Sequence, residues 1–105
     1  MLMPGGKVRV ATLDSAVVGM VATSHDEGLD WIDHLYVAPD LVGKGIGTSL
    51  LRDALGGLGR PVRLWTFQDN HGARRFYKRN GFGELELTNG ENNEEKCPDV
   101  LCELL

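Results

Sequence analysis

The segment Val42-Gly43-Lys44-Gly45-Ile46-Gly47-Thr48 constrains this chain more than any other. It follows Trp31-Ile32-Asp33-His34-Leu35-Tyr36-Val37, a run rich in aromatic and β-branched residues that stops at Pro39 and reads as a strand. Behind it Ile46, Leu50, Leu51, Ala54, Leu55 and Leu58 recur at helical spacing until Gly56-Gly57 and Gly59 disrupt the pattern. A glycine-rich passage from strand to helix lets several backbone N–H groups converge, and the helix N-terminus adds a partial positive charge. An anion fits such a place, and a diphosphate is its natural guest. Two common phosphate loops do not match. GxGxxG begun at Gly43 needs glycine where Thr48 stands, and Lys44 is not placed as in GxxxxGK[ST].

The flanking chain supplies the rest of an α/β pattern. Val8 to Leu13 alternates like a strand, Asp14-Ser15 reads as a turn, and Ala16 to Thr23 reads as a more buried strand, so the two make a hairpin. His25-Asp26-Glu27-Gly28 reads as a polar loop before the third strand. Val62 to Phe67 is a fourth strand. Asp69 or Asn70 can cap a helix with apolar positions Ala73, Phe76 and Tyr77, closed by Asn80-Gly81. Phe82 to Thr88 and Val100 to Leu105 read as two last strands, with a polar loop from Asn89 to Lys96 between them. The predicted order is βββ-α-β-α-ββ, an α/β domain with a mixed, mostly antiparallel sheet and flanking helices.

A chain of 105 residues fits a single domain, 1–105, with a modest core. The N-terminal Met1-Leu2-Met3-Pro4-Gly5-Gly6 has no apolar run of signal-peptide length, and no segment reaches the roughly 20 apolar residues of a membrane span. The expected setting is cytoplasmic, with no membrane partner. Cys97 and Cys102 lack metal-type spacing, so no metal is expected and the two read as ordinary thiols. The net charge of −4 disfavours nonspecific binding to nucleic acid. That charge is divided unevenly. From Val42 to Asn80 eight basic residues face two acidic ones, giving +6, and the remainder carries −10. The split suits a polyanionic small molecule at the centre and a cationic partner or water at the flanks.

Ile32-Asp33-His34-Leu35-Tyr36-Val37-Ala38-Pro39, followed by Val42-Gly43-Lys44-Gly45-Ile46-Gly47, resembles motif A of the GNAT superfamily of N-acetyltransferases, often written R/Q-x-x-G-x-G/A. Asn70-His71-Gly72-Ala73-Arg74-Arg75-Phe76-Tyr77-Lys78-Arg79-Asn80-Gly81-Phe82 resembles the motif that follows it in that family, in the same order. The resemblance runs from about Val8 to the C-terminus and departs from the family twice. Val42 stands where Arg or Gln is usual, and the chain begins after the strand and two helices with which family members usually start. Part of the acceptor wall is then expected to be missing or supplied by another chain.

The resemblance implies a GNAT-like acyl-CoA acyltransferase fold and acetyl-CoA as cosubstrate, with its pyrophosphate on the backbone of Val42, Gly43, Lys44, Gly45, Ile46, Gly47 and Thr48. It implies that Leu35, Tyr36 and Val37 pair with the pantetheine arm in strand fashion, that Asn70 bonds the same arm, and that Ala73, Phe76 and Tyr77 line the cofactor. Asn70 also reads as a plain N-cap, and the two roles are compatible. Tyr77 matches the family's usual general acid, since a phenol with an ordinary pKa of about 10 keeps a proton for a leaving thiolate. Its alternative reading is a helix aromatic packed on the sheet beside Phe76. A base must free the amine's lone pair, and Asp33 and His34 are the candidates, of which strand alternation lets at most one face the acceptor. Either can be purely structural, and Glu27, Glu84, Glu94 and Glu95 remain as acceptor-docking charges or bases through water.

The expected function is direct transfer of acetyl from acetyl-CoA to a primary amine in a ternary complex, because neither cysteine has a cue for an activated nucleophile. The acceptor would be a small-molecule or lysine amine. The alternative is a non-catalytic CoA-binding or regulatory module, suggested by Val42 and the short N-terminus. An interaction domain without a ligand would leave the glycine loop and the basic segment unexplained. Loss of the usual N-terminal cover predicts apolar surface at Val17, Val18, Met20 and Val21 of the first hairpin, and hence a homodimer whose interface includes that hairpin or the C-terminal strand.

Overall fold

The computed structural model describes residues 7–91 and 96–105. Glu94, Glu95 and the first six residues lie outside the described residues. The elements are β1 (Lys7–Leu13), β2 (Ala16–Asp26), β3 (Leu29–Val37), a 3-10 turn (Pro39–Leu41), α1 (Ile46–Leu55), β4 (Val62–Phe67), α2 (His71–Arg79), β5 (Gly83–Thr88) and β6 (Asp99–Leu104). This is the order expected from the sequence, with the 3-10 turn added. The chain forms two compact units, one ending at Gly59 and the other running from Arg60 to Leu105.

In the first unit β2 pairs antiparallel with β1 on one side and β3 on the other. Both connections are two-residue turns with positive φ at each position: 51° and 67° at Asp14 and Ser15, 52° and 79° at Glu27 and Gly28. That is the turn geometry whose twist matches paired strands. The expected polar loop over His25–Gly28 is therefore only Glu27-Gly28. β2 continues to Asp26 and β3 begins at Leu29, because the polar residues find partners across the hairpin. His25 stands opposite Asp30, with Nδ1 to Oδ1 at 2.6 Å, and the Gly59 N–H donates to Asp30 Oδ2 at 2.6 Å. Helix α1 buries Leu50, Leu51 and Ala54. It approaches β2 at Gly19, where a Cβ would stand 2.9 Å from Leu50 Cδ1 and 3.0 Å from the Tyr36 carbonyl oxygen.

The apolar surface of the first hairpin differs from the expectation. Val18 and Val21 are buried and Met20 is half-buried, whereas Val8, Val10, Leu13 and Val17 are exposed. Val21 lies opposite Arg9, whose guanidinium reaches Asp53 of α1 at 2.9 Å, so this face of the strands is the one that α1 covers.

In the second unit β6 is central, paired antiparallel with β4 and β5. Its core gathers Val62, Leu64, Tyr77, Phe82, Val100, Cys102 and Leu104. Helix α2 opens on Asn70, whose side chain accepts from the Ala73 N–H at 3.1 Å. It closes as Asn80-Gly81 predicts: Gly81 has φ 93°, its N–H donates to the Lys78 carbonyl at 3.1 Å, and the Phe82 N–H donates to the Tyr77 carbonyl at 3.0 Å. This pair of bonds is a Schellman motif, sealed by contact between the Tyr77 and Phe82 rings. Phe82 is thus a cap residue, and β5 starts one residue later than the sequence suggested.

Candidate functional site

The glycine segment has the conformation an anion site needs. After the 3-10 turn Val42 is extended and exposed, Gly43 has φ 88°, and Gly45 has φ 84° as the N-cap of α1. A Cβ at Gly43 or Gly45 would meet nothing within 4 Å, so the sign of φ rather than crowding demands glycine there. The first bond of the helix runs from the Ser49 N–H to the Gly45 carbonyl at 3.0 Å. The amides of Ile46, Gly47 and Thr48 consequently have no acceptor inside the helix and define its positive end. Lys44, Gly45, Ile46 and Ser49 also border an open cavity of about 460 Å³ that reaches Ala11 and Asp53.

Strand β3 carries Asp33, His34, Leu35, Tyr36 and Val37. Leu35, Tyr36 and Val37 lie opposite Val21, Met20 and Gly19. A regular strand would let only one of Asp33 and His34 face an acceptor, but β3 is not regular. His34 pairs with Ala22 while Ile32 pairs with Thr23, which leaves Asp33 as an extra residue in a bulge. A bulge re-aims side chains and suspends strict alternation. Asp33 and His34 are both exposed. Glu27, another candidate, occupies the β2–β3 turn.

The second unit carries Asn70, Ala73, Phe76 and Tyr77. Asn70 is exposed and acts as the N-cap, while Ala73 and Phe76 are half-buried. Tyr77 is only 8% exposed. Its ring makes edge contacts with Phe76 at 5.3 Å and Phe82 at 5.6 Å between centroids. Burial, and secondarily the charge of the Cys102 thiolate, pushes its phenol up to about 12, so it stays protonated at neutral pH.

Sequence reasoning missed the partner of Glu84. Arg74 holds both oxygens of this carboxylate, Nε to Oε2 at 2.7 Å and Nη2 to Oε1 at 2.9 Å, and Lys78 Nζ lies 3.9 Å away. The Arg74 hydrogen bonds keep Glu84 below the ordinary carboxylate range, which argues against it as a base. The available signal was a basic residue one turn before Tyr77 and an acidic one just past the cap, but the chain reversal between them hides the pairing. Among the described residues no group of three or more His, Cys, Asp or Glu side chains could hold a metal ion, and no helix is long and apolar enough to cross a membrane.

Residues 4–84 match the acetyltransferase (GNAT) domain. An uncharacterized N-acetyltransferase of Methanocaldococcus jannaschii is 43% identical over 63 residues, which are 56% of this chain and 28% of that protein. Among solved structures, nourseothricin acetyltransferase is matched over 96% of this chain and 65% of its own, with TM-score 0.84 and 22% identity. The PaiA N-acetyltransferase of Thermoplasma acidophilum, solved in complex with coenzyme A, is matched over 95% of this chain and 60% of its own, with TM-score 0.78 and 26% identity. The chain thus spans less than two thirds of the length of each of these relatives. The α/β fold expected from the sequence is the one these structures share with it, and with the family's domain matched across most of its length the chain belongs to the GNAT acetyltransferases.

Proposed function

We propose that the chain binds acetyl-CoA and transfers its acetyl group to a primary amine in a ternary complex. The observation that carries the reading is the glycine passage into α1. Two left-handed glycines deliver three helix amides without intrahelical acceptors at the place where a diphosphate fits, with Lys44 beside them. In this reading the backbone of Val42, Gly43, Lys44, Gly45, Ile46, Gly47 and Thr48 holds the pyrophosphate. Val42 offers no side-chain donor, but backbone amides donate whatever the side chain. Leu35, Tyr36 and Val37 pair with the pantetheine arm, Asn70 bonds it, and Ala73 and Phe76 flank it.

The bound thioester supplies the acyl group. Asp33 or His34 takes a proton from the acceptor ammonium, freeing the lone pair that attacks the thioester carbonyl carbon. As the carbon–sulfur bond breaks, Tyr77 gives its Oη proton to the departing sulfur and regains one from the nitrogen, which sheds its second proton as it becomes an amide. The Tyr77 phenol holds its proton at neutral pH, as the role requires. The acceptor is read as a small-molecule or lysine amine, which the acidic flanks favour. The single-domain organisation and the cytoplasmic setting belong to the same proposal. The match over residues 4–84, which runs through both units, supports the first of these.

A non-catalytic CoA-binding module is the second reading, favoured by the exposed Val42 in place of a polar side chain. Titration with coenzyme A followed by thermal melting, then acetyl-CoA turnover against an amine panel, separates the two. Binding raises the melting temperature by mass action. Gly45→Val, forced into a left-handed conformation, should lose that shift, and a full shift in this variant would remove the loop assignment. Binding without turnover on any amine would select the module.

A further inference from the structure

Arg74 precedes Tyr77 by three residues on α2 and lies on the same side of the helix. Its guanidinium forms a two-pronged pair with Glu84, and its remaining Nη1 donates to the Gln68 carbonyl at 3.0 Å in the turn that leads into α2. Gln68 is itself fixed. Its Nε2 donates to the Thr88 carbonyl at 2.8 Å and the Asp99 carbonyl at 3.2 Å, and its N–H donates to the Pro98 carbonyl at 2.9 Å. One side chain thereby joins α2 to the start of β5 and, through Gln68, to the far end of the same strand and to β6. Glu84 stands opposite Cys102 of β6.

The C-terminal end of α2 is already held by its Schellman bonds. A helix held at one end can still pivot and roll at the other, and Tyr77 would move with it. A planar fork engaged by two carboxylate oxygens restricts that roll far more than a single ammonium could. We propose that Arg74, locked by Glu84 and the Gln68 carbonyl, is a positioning residue that sets the roll of α2 and so the direction of the Tyr77 hydroxyl. Its bearing on the reaction rests on the reading of Tyr77 as the acid.

The chain has two tyrosines, Tyr36 and Tyr77, so protein labelled with 13C at tyrosine Cζ gives two titration curves, assigned with Tyr36→Phe. In the unsubstituted chain the Tyr77 curve is expected to lie well above the ordinary phenol range, since burial pushes it up to about 12. In Arg74→Lys and in Glu84→Gln its midpoint falls toward 10 as the ring loosens from its packing. The two variants attack the contact from opposite sides, so that failure of one to fold leaves the other to be read. With acetyl-CoA and poly-L-lysine, Arg74→Lys lowers kcat on the order of 10- to 100-fold at unchanged KM for acetyl-CoA. Added to Tyr77→Phe, it lowers kcat no further. An unmoved Tyr77 midpoint in both variants, or an Arg74→Lys loss as large in the Tyr77→Phe background as without it, overturns the inference. Wild-type turnover by Tyr77→Phe alone removes the acid reading instead, and the titration still decides whether Arg74 positions the ring.

Discussion

Tyr77 concentrates the chemistry and the packing of α2 in one side chain. Its carbonyl closes the Schellman motif, its ring fills the core of the second unit, and its hydroxyl is the proposed proton donor. Because burial raises its pKa from 10 to about 12, an unfolded chain releases this proton at a lower pH than the native one. The stability it contributes is fully present below pH 10 and is lost as pH rises through about 12. Tyr77→Phe keeps the ring and deletes the titration. Between about pH 9 and about pH 11 the wild type should lose about 1 kcal/mol more of unfolding free energy than the variant. Urea melts at the two pH values measure this, and parallel losses would show that the phenol is not perturbed by burial. At neutral pH the same variant should turn over about 100- to 10,000-fold more slowly with cofactor affinity retained.

At the scale of elements, the β2–β3 hairpin shows what a linear pattern reveals and what it hides. Helix α1 was legible because Leu50, Leu51 and Ala54 repeat with the period of their own element, and the end of α2 because Asn80-Gly81 carries its geometry locally. The last residues of β2 were not, since His25 and Asp26 join a strand only through partners across the turn. The Asp33 bulge and the Arg74–Glu84 clamp escaped for the same reason, so the glycine loop could be read from sequence while the choice of base could not. Asp30 links three segments of the first unit, and its hydrogen bonds from His25 first and then Gly59 hold its carboxyl below the ordinary 3.8. A depressed carboxyl contributes stability above its unfolded pKa and loses it as pH falls through the folded one. Asp30→Ala should therefore cost about 1–3 kcal/mol at neutral pH, and the difference should shrink as pH falls below 3.8. Urea midpoints near neutrality and in acid test this, and a difference independent of pH would assign the effect to packing.

For the molecule as a whole, Val8, Val10, Leu13 and Val17 put exposed apolar side chains on one hairpin, and we infer that a second copy covers them. Light scattering across a dilution series should give twice the 11.5 kDa chain mass at micromolar concentration, and Val10→Glu should return it to a monomer. A stable monomer at every concentration would show that the hairpin faces water. The two-residue turns described above bear also on how the chain acquires its structure. In the first unit β1 pairs with β2 and β2 with β3, each strand with its neighbour in sequence, whereas β4 must wait for β6 across α2 and β5. Closing a short turn costs little chain entropy and closing a long excursion costs more, so the β1–β2–β3 sheet should assemble first. In pulse-labelled hydrogen exchange during refolding, the amides of Val21 and Ala22 should gain protection before those of Leu64 and Cys102, and the reverse order would mean that the second unit nucleates the fold.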